Sequence, residues 1–238
     1  MQLQSLQQLY EINSDFVPRL QKLSEYEIIL ILDDSGSMNN PASKLTPYFT
    51  RWQELQKITN VIVDIASIFN PNGINVHFLN RYSVYEVKDF SQLYSSFQTL
   101  PFGYTPITQA TSIAMEIESD IMEIVSNQRK KRIFILITDG LPTDSRGNDD
   151  VDNFKNRLKH KSKDDYVMIV ACTDDDAVIE YLNKLDRELE NIDVCDDYES
   201  ERKEIFKTQG PPKIGMKFQL SRGRREISTL SIFLRTRI

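Results

Sequence analysis

Apolar runs and stretches of helical spacing alternate along this chain. Residues 27–32 are almost continuously apolar, the pattern of a strand buried on both faces. Leu55, Ile58, Ile62, Ile65 and Phe69 then recur at intervals of three and four, predicting a helix over about residues 49–69. Asn70-Pro71-Asn72-Gly73 supplies the turn that ends it. Residues 74–80 read as the next strand, followed by a short strand at 84–87 and a short helix at 90–97. Pro106 suits the first position of another helix, where its missing N–H is not needed. Ile107, Ala110, Ala114, Ile117, Ile121 and Ile124 form the stripe of that helix. Residues 133–138 and 166–171 are two further apolar runs, with a helix expected between them over about 148–161. Asp174-Asp175-Asp176 opens a last helix, whose stripe runs Val178, Leu182, Leu185, Leu189 and Ile192.

Strand and helix in this alternation predict an α/β fold, doubly wound, with a mostly parallel central sheet and helices on both faces. Three segments follow. Residues 1–22 form an N-terminal extension of helical character, 23–210 the α/β domain, and 211–238 a basic C-terminal segment. That last segment carries Lys213, Lys217, Arg222, Arg224, Arg225, Arg235 and Arg237 against Glu226 alone, a balance of +6. In a chain of net charge −6 this leaves −12 on residues 1–212, which argues against nucleic acid as the partner of the main domain. The basic segment itself reads as a final packed element, a poorly ordered tail or a basic contact site for nucleic acid or an acidic surface.

Hydrophobic content of 40 % and charged content of 27 % are those of an ordinary soluble protein. No run approaches the roughly 20 apolar residues of a membrane span. The start, Met1-Gln2-Leu3-Gln4-Ser5, has neither a basic opening nor an apolar signal core, so an intracellular, cytoplasmic setting is expected. Cys172 ends an apolar run and is expected in the core, while Cys195 lies among acids that disfavour its thiolate.

Three loops carry the chemistry. Asp33-Asp34-Ser35-Gly36-Ser37 follows the first apolar run, Phe102-Gly103-Tyr104-Thr105-Pro106 precedes a helix, and Thr138-Asp139-Gly140 follows another apolar run. In open α/β sheets ligands collect beyond the carboxyl ends of strands, where strand order reverses, and two of these loops begin there. Carboxylate and hydroxyl oxygens without imidazole or thiolate favour Mg²⁺, with Mn²⁺ and Ca²⁺ as competitors. The ordered set Asp-x-Ser-x-Ser, loop Thr, loop Asp resembles the metal-ion-dependent adhesion site of the von Willebrand factor A domain family. The resemblance extends from about residue 26 to about residue 200.

It implies Ser35, Ser37 and Thr105 as direct metal ligands, with Asp33 and Asp139 binding directly or through water. It also implies a function, since members of the family recognise partners through a Glu or Asp that completes the metal's shell. A protein-binding adaptor or scaffold, not an enzyme, is the resulting expectation, with a partner that offers an acidic side chain. Gly36, Gly103 and Gly140 are expected to give the loops room to turn. Asp34 is expected to support the site without binding metal, Asp144 to serve a turn, and Trp52 to anchor packing.

The rival is a Mg²⁺-dependent phosphoryl-transfer enzyme. Its Asp-x-Asp pattern fails at Ser35, and no glycine-rich phosphate loop is present. No Gly-x-Ser-x-Gly elbow surrounds Ser35 or Ser37, and neither His77 nor His160 sits in a sequence context that marks a catalytic base. A metal-independent scaffold is the other alternative.

Overall fold

The structure, a computed structural model, describes residues 17–42, 47–125 and 130–195, with Ser5 besides. The basic segment 211–238 and nearly all of the extension lie outside the described residues. The elements in chain order are α1 (Val17–Gln21), β1 (Tyr26–Leu32), α2 (Arg51–Phe69), β2 (Ile74–Phe78), β3 (Val84–Val87), α3 (Tyr94–Gln98), α4 (Ile107–Val125), β4 (Lys131–Thr138), α5 (Val151–Lys159), β5 (Asp165–Ala171), α6 (Asp176–Glu188) and β6 (Ile192–Cys195). Among the described residues no helix is long and apolar enough to cross a membrane.

Among the described residues one six-stranded sheet runs in the order β3-β2-β1-β4-β5-β6. Every pair is parallel except β2 with β3 at the edge. β1 is central, with β2 on one side and β4 on the other, so strand order reverses at the β1–β4 boundary. The alternation of side chains along the strands divides the core in two. Ile28, Leu30 and Leu32 of β1, with Ile133, Ile135 and Ile137 of β4, face α2 through Leu55, Ile62 and Ile65. Ile29, Ile31, Phe134 and Leu136 face the other way, against α4, α5 and α6. Each Leu, Ile or Phe buried in this way contributes about 1.5–3 kcal/mol. The fully buried Leu20, from α1, joins the first of these clusters.

Local chemistry sets the boundaries. α2 starts at Arg51 because Thr50 caps it, its side chain accepting from Gln53 N while the Gln53 side chain accepts from Thr50 N. Asp175 caps α6 by accepting from Ala177 N. The expected last helix runs too far: it ends at Glu188, and Ile192 begins β6. Asn191, at φ 56°, makes the turn between them. The inward face of α4 also differs from the apolar stripe, because Thr111 and Glu118 are buried while Ile117 and Ile121 are only half-buried. The side chain of Ile124 lies outside the described residues. At the sheet edge β3 carries one extra residue against β2, since Ile74 pairs with Val87 but Val76 with Val84. Glu86 sits in this bulge at φ 53°.

Candidate metal centre

β1 and β4 end side by side, with Leu32 paired to Ile137. The ladder continues one step further, as Asp33 N donates to Ile137 O at 2.9 Å. Asp33 is thereby held at the boundary where strand order reverses, and it is wholly buried. Its Oδ1 accepts from Ser35 N at 2.9 Å and its Oδ2 from Thr138 Oγ1 at 2.6 Å. Ser35 Oγ lies 3.0 Å from Ser37 Oγ, which donates to Asp139 Oδ1 at 2.8 Å. Arg51 Nη1 reaches the other oxygen of Asp139 at 2.7 Å.

Four of the five expected ligands, Asp33, Ser35, Ser37 and Asp139, thus form one connected set. Thr105 is placed beside them through its backbone. Gly36 N donates to Gly103 O at 3.0 Å, Phe102 N to Asp34 O at 2.9 Å, and Thr105 N to Thr143 Oγ1 at 2.9 Å. These bonds tie all three loops together. Of the three loop glycines, only Gly103 needs to be glycine, with φ +87° and space for a Cβ closed by Asn80 Oδ1 at 2.7 Å. Gly36 and Gly140 show neither restriction.

Around the expected supporting residues Asp34 and Trp52 stand Arg51, Asn80 and Arg81, which sequence reasoning missed. Asp34 is buried, accepting from Asn80 N at 2.8 Å, with Arg81 Nε 2.8 Å from its Oδ2 at an angle too poor for a hydrogen bond. Arg81 also donates to the carbonyls of Ser96, Thr99 and Leu100, fixing the chain that leads into the second loop. Its guanidinium stacks over Trp52, which is itself buried and donates to Phe97 O. Thr50-x-x-Gln53 was a readable capping signal for the turn that presents Arg51. Nothing adjacent in sequence points Arg51 to Asp139 or Arg81 to Asp34. Asp144 takes its expected turn role, accepting from Arg146 N and from both nitrogens of Asn148.

The charges do not balance. Arg51 faces Asp139 and Arg81 faces Asp34, but Asp33 has only neutral donors among the described residues. Burial, reinforced by the nearby Asp139 charge, pushes the Asp33 carboxyl up to about 7. A buried carboxylate without a cation, beside three hydroxyls whose O–H groups can rotate away, fits a hard divalent ion. Among the described residues there is no cluster of three or more His, Cys, Asp or Glu suited to a metal, so hydroxyl oxygens would have to complete the set.

The raised Asp33 value fixes a sign for pH dependence. Asp33 binds its proton more tightly folded than unfolded, so its contribution is full below its ordinary value of 3.8 and lost as pH rises through about 7. In chelator, the wild-type advantage over Asp33→Asn is expected to shrink by about 1.4 kcal/mol per pH unit across that window. Urea unfolding of both proteins between these limits checks this, and parallel curves would refute it. Because a metal needs the ionised carboxylate, Mg²⁺-dependent stabilisation should grow over the same interval.

No family model and no curated protein matches this chain. Among solved structures it is similar to a mutant of the PilB minor pilin from Streptococcus sanguinis. The TM-score is 0.50 at 14 % identity, over 78 % of this chain and 63 % of that one. The chain therefore spans less than two thirds of that protein, and at this identity the likeness concerns the fold alone.

Proposed function

We propose that this chain is a von Willebrand factor A-like protein-binding module that holds Mg²⁺ between its three loops and recognises an acidic side chain of a partner. The observation that carries the reading is Asp33, a wholly buried carboxylate with neutral donors only among the described residues, set among the hydroxyls and second carboxylate that the adhesion-site pattern specifies. Asp33, Ser35, Ser37, Thr105 and Asp139 would hold the ion. Bound there, it supplies a Lewis-acidic position that an external carboxylate can occupy. Two carboxylates balance the charge of such an ion, and with three hydroxyls they leave its shell incompletely filled, so an external carboxylate can enter as a further ligand. Mn²⁺ and Ca²⁺ suit the same oxygens.

The surroundings favour a protein as the partner. Tyr48, Leu100, Phe102, Tyr104 and Leu141 are exposed on the segments that border the site. Large exposed apolar and aromatic side chains around a polar centre are the usual makeup of a protein interface. An intracellular adaptor role belongs to the same reading.

The test is thermal unfolding with Mg²⁺, Mn²⁺ or Ca²⁺ added to chelator-treated protein. A ligand bound only by the native state raises the midpoint, by about 2.7 kcal/mol of stability at 100 times its Kd. No shift with any of the three ions would remove the basis for the proposal. Arg51 gives a second expected outcome of opposite sign. It places a positive charge on Asp139, so Arg51→Ala should destabilise the chelated protein and tighten Mg²⁺ binding about tenfold or more. Calorimetric titration of both proteins reads this directly; equal or weaker binding by the variant would mean that Arg51 does not oppose the ion.

A further inference from the structure

We infer that Ser83, His77 and Glu118 form a second site, a serine nucleophile with its own base, which cleaves small uncharged carboxylic esters. Alternation along β2 puts Asn75 and His77 on one face, toward α4, where Glu118 is buried. His77 Nε2 lies 2.9 Å from Glu118 Oε1, and Asn75 Nδ2 lies 3.0 Å from both carboxylate oxygens. With its Nε2–H donated to Glu118, the neutral ring keeps its Nδ1 lone pair for the opposite side. Ser83 Oγ is there, at 2.9 Å. Tyr85 packs edge-on against the ring at 5.8 Å and helps fix its orientation. Nucleophile, base and orienting carboxylate thus stand in hydrogen-bond sequence, the arrangement that activates a serine hydroxyl.

The hydroxyl is also reachable. His77 and Ser83 line a cavity of about 340 Å³ whose other walls include Tyr104, Gln109 and Ile113. Glu118 is not among the lining residues and stands behind the imidazole. A polar network that only fastened β2 to α4 would be complete with Asn75, His77 and Glu118. Ser83 adds a half-buried hydroxyl aimed at a basic nitrogen on the cavity wall. Among the described residues the mixed lining has no charged wall other than Arg81, which is engaged by Asp34, and this suits a neutral acyl group.

The chemistry closes with water as the only co-reactant. Ser83 Oγ bonds to the ester carbonyl carbon as its proton passes to His77 Nδ1. The carbon–alkoxy bond then breaks, and the alcohol leaves with that proton. Water, deprotonated by the same nitrogen, releases the acid and restores Ser83. Ser83 and His77 touch the reacting atoms, whereas Glu118 is a positioning residue.

The experiment uses the full chain with p-nitrophenyl acetate in chelator, following p-nitrophenolate release and mapping the acetylated residue by mass spectrometry. Acetylation of Ser83 with turnover is expected, and Ser83→Ala should lose both. Glu118→Gln keeps size and a hydrogen bond, and should lower kcat about 100-fold or more with KM little changed. Acetyl groups found only on other residues, or release by Ser83→Ala at the wild-type rate, would overturn the proposal. Since chelator is present throughout, neither outcome depends on the metal reading.

Discussion

An Asp33→Ala protein is expected to unfold at one temperature whether or not Mg²⁺ is present, while the wild type gains roughly 5–10 °C from the ion at about 100 times its Kd. The variant removes the one carboxylate of the site that, among the described residues, has no cation of its own. What it does to the metal-free protein is a contest of two terms. Thr138 Oγ1 and Ser35 N lose their acceptor, and a buried polar group left unsatisfied costs about 1–3 kcal/mol. Against this, a desolvated carboxyl raised to about 7 and repelled by Asp139 disappears, a gain above neutral pH. The terms nearly cancel, so the chelated variant should unfold within a few degrees of the chelated wild type. Thermal scans of both proteins with and without Mg²⁺ separate the outcomes. An undiminished Mg²⁺ shift in Asp33→Ala would place the ion elsewhere.

The second large effect lies at the far end of the neighbouring strand, β4. Arg132→Met is expected to cost about 3–5 kcal/mol, or roughly 10 °C, because it strands a buried acid. Arg132 Nε and Nη2 hold the two oxygens of Asp165 at 2.7 and 2.9 Å, and its Nη1 donates to Ser119 Oγ at 2.7 Å. Both members of the pair are buried. Replacing Arg132 and Asp165 together by apolar residues should recover much of the loss, since no uncompensated charge then remains. Six strand residues, Ile133 to Thr138, lie between Arg132 and Asp139, about 23 Å along the strand, so the Mg²⁺ shift should survive in Arg132→Met. Denaturant unfolding decides the first point, and a variant as stable as the wild type would show the pair to be inconsequential.

The same residue shows where sequence reading loses its grip. Within Arg129-Lys130-Lys131-Arg132 each side chain looks like a solvated end-cap, and for Lys130, in a largely exposed pair with Glu27, that description holds. Arg132 differs only because β5 brings Asp165 beside it, which no local pattern announces. Arg51 and Arg81 were hidden for the same reason, being joined to their carboxylates by the fold alone. The strands and the motif-bearing loops were legible because continuous apolar runs end at Asp33 and Asp139, and a strand end is a local event. Periodicity misled twice: Thr111 and Glu118 take the buried face of α4 where the stripe expected Ile117 and Ile121, and Leu185, Leu189 and Ile192 keep helical spacing across a turn at Asn191, which disguised β6. His77 shows the same limit, because Ser83 and Glu118 approach it only once β2, its following loop and α4 are packed.

The bulge at Glu86 bears on how this protein behaves in a crowded solution. An edge strand with free amides and carbonyls is a template on which a second molecule can add its own strand, the first step toward aggregation. β3 offers only four residues, is interrupted by an extra residue, and turns Glu86 into a left-handed conformation that a flat pairing partner cannot match. The sheet is therefore discouraged from growing past β3, on the side where the cavity and the second loop need the surface left open.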